Sequence, residues 1–346
     1  MPRVALVQFC PLPPTYSSPA GETGSELNLQ RANSFVREAA SQGAELICFP
    51  EYFLSGVVSE REHWNLAQYP HSHAHLHDEE AAAASHATAE HWLSNFRSLA
   101  KELKVDIAVG TIVERALDQD GNELENAVEI PATETEPART EKRPVLKNVA
   151  HYIDWNGEVV GRYTKRNLWW PEKEYLTPGE EDHQVFETRF GKVGMLICWD
   201  LAWPTTFRTL LLHGASLVIC PTYWTGTDGG PEGAKHNPDS ERVYLESLVV
   251  TRAFENECAV VFVNVGAPAG CDPADEGANP EGRIGCSQVT VPFKGRIGGA
   301  KGPQEEVVIV DVDLSVLEDA RKVYGVRRDL IGKLRDSGEL PEWVKV

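Results

Sequence analysis

KVGMLICWDLAWP, residues 192–204, runs an apolar segment into an abrupt stop. The segment up to Ile197 reads as a buried strand. Cys198 closes it, and Trp199, Asp200 and Pro204 end the extended chain. A cysteine inside an apolar run is usually a small hydrophobe filling core space. A cysteine at the mouth of a strand, where a rigid element gives way to a loop, is also where a nucleophile would sit. The rest of the chain decides between these readings.

Short apolar runs and amphipathic patterns alternate on both sides of this stretch. RVALVQF (3–9), AELICFP (44–50) and VDIAVGTIV (105–113) read as strands. Between them, 26–42 and 87–104 read as helices; Ala32, Val36 and Ala39 line one face of the first, Trp92, Phe96 and Ala100 one face of the second. In HYIDWNGEVVGRY (151–163), Asn156-Gly157 predicts a hairpin with a type I′ turn. QVFET (184–188), ASLVICP (215–221), ECAVVFVNVG (257–266), CSQVTVP (286–292) and EEVVIVDVD (305–313) supply further strands. Helices are expected over TTFRTLLLHG (205–214) and 239–257, the latter capped by Asp239 or Ser240.

Mixed βα alternation and hairpins predict an α/β fold of two mixed sheets with helices outside, not one doubly wound sheet. No internal repeat or composition break marks a second domain. One domain is expected over 1–323, followed by a polar tail, 324–346, placed to reach a second subunit. Two inserts interrupt the pattern: a His- and Ala-rich stretch near 63–86 and an acidic, aperiodic one at 116–146. Both are expected as surface loops.

The chain of 346 residues carries 33 Lys and Arg against 52 Asp and Glu, a formal charge of −19. Such a surface repels phosphate backbones and argues against a nucleic-acid partner. Seven cysteines, odd in number, widely spaced and without a C-x-x-C pair, argue against a disulfide framework or a zinc cluster. MPRVALVQFC reads as a strand, not a signal peptide. No apolar stretch approaches the roughly 20 residues of a membrane span. These features together point to a cytoplasmic protein.

Glu51, Lys165 and Cys198 share a context, each following the end of a predicted strand. Their chemistry is complementary. A free thiol is mostly protonated at neutral pH and needs a base. A carboxylate can take its proton, and an ammonium can stabilise an oxyanion formed by attack on a C=O or C≡N carbon. Spacing alone does not show that the three meet.

FPEYFLSG (49–56), GRYTKRNLWWPEKEYLTPGE (161–180) and GMLICWDLAWPTTFR (194–208) together resemble the nitrilase superfamily of carbon–nitrogen hydrolases. That family carries Glu after FPE, Lys in YxK and Cys in GxxICxD; Glu51, Lys165 and Cys198 fall on those positions in that order. The resemblance extends through ALVQ, NLQRA, Pro221-Thr222, RAFEN, VNVG and GCSQVTVPFKG, about residues 3–320. It implies a four-layer α-β-β-α sandwich and subunits that pair into a homodimer or higher homo-oligomer. It implies Cys198 as nucleophile, Glu51 as general base and Lys165 as oxyanion stabiliser, with the Trp199 N–H completing the oxyanion hole. Glu172 matches the family's second carboxylate better than Glu174 does. No metal or organic cofactor is implied.

One departure is Thr205, which stands where the family usually has Glu; a local effect is expected. Trp169, Trp170, Tyr223 and Trp224 are candidate pocket walls, with core packing as the alternative. The C-W-D sequence resembles amidase and N-carbamoyl-amine branches, whereas nitrilases usually show C-W-E. A linear amide or ureido substrate is therefore expected, releasing ammonia, with nitrile hydrolysis as the alternative. No basic cluster announces a carboxylate site, though Arg166, Arg208 or Arg252 could serve. Rival classes are a metal hydrolase using HSHAHLHDEE (71–80), which otherwise reads as a solvated loop, a Cys-His enzyme, for which His183, His213 and His236 lack a strand-end context, and a non-catalytic binding member of the superfamily, against which the intact trio argues. The other cysteines in apolar runs or turns, Cys10, Cys48, Cys220, Cys258 and Cys286, read as structural fill.

Overall fold

Alternation along the first strand sets the layering. In β1 (Arg3–Gln8), Val4 and Leu6 enter one apolar cluster while Ala5 and Val7 enter another. The computed structural model describes residues 1–70, 89–130, 137–271, 277, 279 and 281–344. β1 lies parallel to β2 (Leu46–Cys48), and β2 parallel to β3 (Asp106–Arg115). After a separate hairpin of β4 (Glu125–Ile130) and β5 (Arg139–Pro144), β6 (Leu146–Ile153) and β7 (Val159–Thr164) extend the sheet antiparallel.

The second sheet holds β8 (Val185–Thr188), β9 (Gly191–Met195), β10 (Leu217–Thr222), β11 (Ala259–Asn264), β12 (Gln288–Val291) and β13 (Gly295–Gly299), neighbours in that order. Its central strands β9, β10 and β11 run parallel. The chain then returns through β14 (Glu306–Asp311), which pairs antiparallel with β1 and completes the first six-stranded sheet.

Helices Gly24–Ser41 and Ala89–Leu103 cover the outer face of the first sheet, where Ala32, Val36, Leu93 and Phe96 pack with Val7, Ile47 and Ile107. Helices Pro204–His213 and Ser240–Glu255 pack with the second sheet through Phe207, Leu210, Leu245 and Val249. Gly194 allows that approach: a Cβ there would stand 2.8 Å from Leu210. Between the sheets Tyr152 meets Phe186, ring centroids 5.1 Å apart. The result is the expected α/β fold, two large mixed sheets layered with helices.

Several local expectations need correction. Segment 116–146 is no structureless loop: β4 and β5 pair antiparallel from Glu125↔Pro144 to Ile130↔Arg139. Residues 63–70 are held to the edge of β3, with Trp64 buried and the Gln68 N–H donating to the Val113 carbonyl at 2.8 Å. The run 71–80 lies outside the described residues. The 151–163 hairpin does not turn through type I′, which needs positive φ at both central residues. Here Gly157 has φ +85° and Asn156 does not follow it. The Asp154 carboxylate accepts the N–H groups of Asn156 and Glu158, each at 2.9 Å, and starts the turn earlier. Apart from these corrections, helix Val326–Ser337 of the tail packs Ile331 near Leu212, and Trp343 stacks on His213 with ring centroids 3.8 Å apart. Among the described residues, no helix is long and apolar enough to cross a membrane.

Candidate active site

Three strand ends deliver the central side chains. β2 stops before Pro50, which has no N–H to give a ladder. Glu51 follows, its N–H directed to the Thr222 carbonyl at the end of β10, 3.4 Å away. Beyond β7, the Lys165 N–H donates to the Asn148 carbonyl at 2.9 Å and its own carbonyl accepts from Gly179 at 2.8 Å. Beyond β9, Cys198 takes φ +46° and opens a single 3₁₀ turn, Cys198–Ala202. A non-glycine residue in this region costs about 1–3 kcal/mol and needs surrounding support.

Asp200 supplies that support. It is fully buried, and its carboxylate accepts four hydrogen bonds: from the Ile197 N–H at 3.0 Å, the Asn167 N–H at 2.9 Å, Asn167 Nδ2 at 2.8 Å and the Tyr163 hydroxyl at 2.8 Å. The turn that presents Cys198 is thereby fixed to the loop after β7 that carries Lys165.

Lys165 is 1 % exposed and lies between two carboxylates, with Nζ 2.8 Å from Glu51 Oε1 and 2.7 Å from Glu172 Oε2. Each carboxylate has further donors. Glu51 accepts from Asn148 Nδ2 at 2.7 Å and the Tyr223 N–H at 2.8 Å. Glu172 accepts from the Tyr52 hydroxyl at 2.6 Å and the Trp169 N–H at 2.8 Å. Glu174, by contrast, is exposed. Burial opposes the charge of Lys165, but Glu172 and Glu51 outweigh it and hold the ammonium charged, well above its ordinary range. Burial pushes Glu51 up to about 7, against Lys165. Burial also raises the Cys198 thiol well above its usual value, with Glu51 adding and Lys165 opposing; Sγ sits 3.7 Å from the Tyr223 carbonyl. The resting group is a thiol beside a carboxylate that titrates near neutrality.

These groups line a pocket of about 290 Å³. Trp169, Trp199 and Trp224 form a contiguous wall, with ring centroids 4.5 Å and 5.3 Å apart. Tyr52, Tyr175 and Tyr223 also line it, and Thr225 and Asp228 complete one side. Trp170 does not belong to the wall. It sits in helical conformation just before the turn Pro171–Glu174, is 65 % exposed, and faces solvent. Neither do the three arginines considered for a carboxylate. Arg166 pairs with Asp182, Arg208 donates to the Glu255 carbonyl, and Arg252 to those of Leu201 and Ala202. Among the described residues no histidine lines the pocket: His183 lies behind Tyr163, His213 under Trp343, and His236 ends a surface helix. Thr205 is exposed on the first turn of its helix.

Sequence reading missed Asn148, Tyr52, Asp200 and Asp228. Asn148 leaves a trace, a lone amide at full burial in an apolar strand that needs a polar partner. Asp200 stands next to the cysteine motif, but three of its four donors come from the distant stretch 163–167.

A family model described as carbon–nitrogen hydrolase matches residues 3–322. The N-carbamoylputrescine amidase of Arabidopsis thaliana is 25% identical over 316 residues, 87% of this chain and 86% of its own. Nit3 of Saccharomyces cerevisiae, a nitrilase-superfamily member, superposes with a TM-score of 0.65 at 22% identity, covering 93% of each chain. A mutant amidase from Nesterenkonia sp. AN1, with acrylamide added to its active-site cysteine, gives a TM-score of 0.58 at 21% identity over 95% of this chain and 100% of its own.

Proposed function

Because the chain belongs to the carbon–nitrogen hydrolase family, we propose that it hydrolyses a linear amide or N-carbamoyl C–N bond through a Cys198 thioester. The observation that carries this reading is the convergence of Glu51, Lys165, Glu172 and Cys198 in one pocket with aromatic walls. In the first half-reaction Glu51 takes the thiol proton as Sγ attacks the carbonyl carbon. A base that titrates near 7 suits that transfer at neutral pH. Lys165 faces the developing oxyanion, and the Trp199 N–H supports it, since the first N–H groups of a helical turn have no partner within the turn. Glu51 then returns its proton to the departing nitrogen, and ammonia leaves.

In the second half-reaction water gives a proton to Glu51 and its oxygen to the acyl carbon. The thioester C–S bond breaks, the acid leaves, and the proton returns to Cys198. A carbamoyl substrate releases a carbamic acid that falls to amine and carbon dioxide. Glu172 is a positioning residue: it holds Lys165 with the charge the oxyanion needs. The wall residues Trp199, Trp169 and Tyr223, half-buried, and Trp224, buried, shape the space for an apolar segment of the substrate. Exposed Trp203, Val243 and Tyr244, on or beside the outer helices, support pairing of subunits. Seven unpaired cysteines support a reducing compartment such as the cytoplasm.

The test is ammonia release from a panel of amides, N-carbamoyl amines and nitriles, with Cys198→Ala alongside. Release from amides or carbamoyl compounds by the wild type alone supports the reading. Turnover of the same compounds by Cys198→Ala overturns it.

A further inference from the structure

Resting on that reading, the charge inventory of the pocket points to the substrate's far end. The lining holds three carboxylates, Glu51, Glu172 and Asp228, and a single cation, Lys165. Lys165 is already shared by the first two carboxylates. No arginine lines the pocket among the described residues, and Arg166, Arg208 and Arg252 are engaged elsewhere. A substrate carboxylate entering here meets like charges and no free donor cation.

Asp228 is different from the other two carboxylates. It is partly buried on the wall formed by Trp224 and Thr225. Thr225 fixes it, donating from its N–H at 2.9 Å to Oδ2 and from its hydroxyl at 2.6 Å to Oδ1. Neither oxygen is paired with a cation among the described residues. Each carboxylate oxygen has a second lone-pair direction left to accept a donor. The neighbouring wall is aromatic, and Glu241, which accepts from the Trp224 indole N–H at 2.7 Å, places a further carboxylate behind it. The chain's charge of −19 draws cationic solutes toward the same opening.

We propose that Asp228 makes this pocket select substrates whose far end carries a cationic amine over substrates ending in a carboxylate. The scissile amide or ureido group lies against Cys198, the connecting carbons lie along the tryptophans, and the terminal ammonium lies against Asp228.

The experiment uses three N-carbamoyl compounds of matched chain length, ending in an ammonium, a methyl group or a carboxylate. Ammonia release gives kcat and KM for each. The ammonium compound is expected to exceed the methyl compound about ten-fold or more in kcat/KM, as one charge-assisted contact supplies, with the carboxylate compound lowest. Asp228→Asn is expected to bring the ammonium-to-methyl ratio close to one, chiefly through KM. Asp228→Glu, which keeps the charge while disturbing the Thr225 bonds, is expected to retain the preference. Equal or better turnover of the carboxylate compound by the wild type, or an ammonium preference that survives Asp228→Asn, overturns this inference while the hydrolase reading stands. Silence toward all three compounds and toward every simple amide overturns the hydrolase reading itself, and this one with it.

Discussion

Asp200→Asn tests how the fold holds Cys198. The substitution keeps the shape and changes one acceptor oxygen into an NH₂ donor. On the Oδ1 side that donor would face the Asn167 N–H, which cannot accept, and the Asn167 side chain, which accepts only after its whole amide turns over. On the Oδ2 side it faces the Ile197 N–H and the Tyr163 hydroxyl, and the hydroxyl can reverse to accept. The second arrangement is therefore the cheaper. It leaves the buried Ile197 N–H without a partner, at about 1–3 kcal/mol, and turns two charge-assisted bonds from Asn167 into neutral ones at about 1 kcal/mol each. The expected loss of stability is about 3–5 kcal/mol, a large share of the roughly 5–15 kcal/mol a domain has. Ile197 also precedes the positive-φ Cys198. Its release lets the nucleophile relax, and a displacement near 1 Å costs about a hundred-fold in turnover. Urea unfolding followed by circular dichroism gives the first number, and ammonia release gives the second. Tyr163→Phe, which leaves the Ile197 bond in place, is expected to lose stability with a much smaller fall in kcat. A stability loss below about 1 kcal/mol together with wild-type kcat for Asp200→Asn would refute the reasoning.

The carboxylate that titrates at about 7, Glu51, must be ionised to act as base. A pH profile of kcat/KM is expected to rise across that value and level off above it; a profile already flat at pH 5 contradicts the assignment. Trp169 and Trp170 are adjacent in sequence but face opposite ways, so Trp169→Ala is expected to raise KM markedly while Trp170→Ala leaves it near wild type, as steady-state kinetics will show. Burial works against the charge of Glu114, but His151 and Arg162 outweigh it and hold the carboxyl down to about 2. A depressed carboxylate stabilises the fold above its unfolded value, near 4.3, and that contribution is lost as pH falls through about 2. Its full worth is about 3 kcal/mol. Denaturant titrations from pH 5 down to pH 2 are expected to show this loss in the wild type and a shallower slope in Glu114→Gln.

The strands of both sheets were legible because burial on both faces makes β1, β2 and the end of β9 short, continuous apolar runs. The four predicted helices were legible because one face of each is apolar. The β4–β5 hairpin was not, since the described residues of both strands are largely exposed and carry charge in place of an apolar period. Its pairing rests on backbone hydrogen bonds, which leave little mark on side-chain pattern. The Asn156-Gly157 pair marked the turn, but its type was decided by the Asp154 carboxylate two residues before. Glu51, Lys165 and Cys198 share strand ends, but they could be picked out because the motifs around them resemble those of the nitrilase superfamily. Asn148 and Asp228 could not, because their roles come from segments that meet only in the folded chain. The two tryptophans in the loop after Lys165 looked equivalent in sequence, and a helical backbone at Trp170 separated them.

The central claim is a covalent bond between Cys198 and the acyl part of the substrate. Acid-quenching the enzyme during turnover of a slow amide or carbamoyl substrate and measuring intact protein mass tests it directly. The account predicts a mass increase equal to the acyl group, mapped to the peptide containing Cys198 and missing in Cys198→Ser. Steady turnover with unmodified Cys198, or an adduct on another residue, would contradict it.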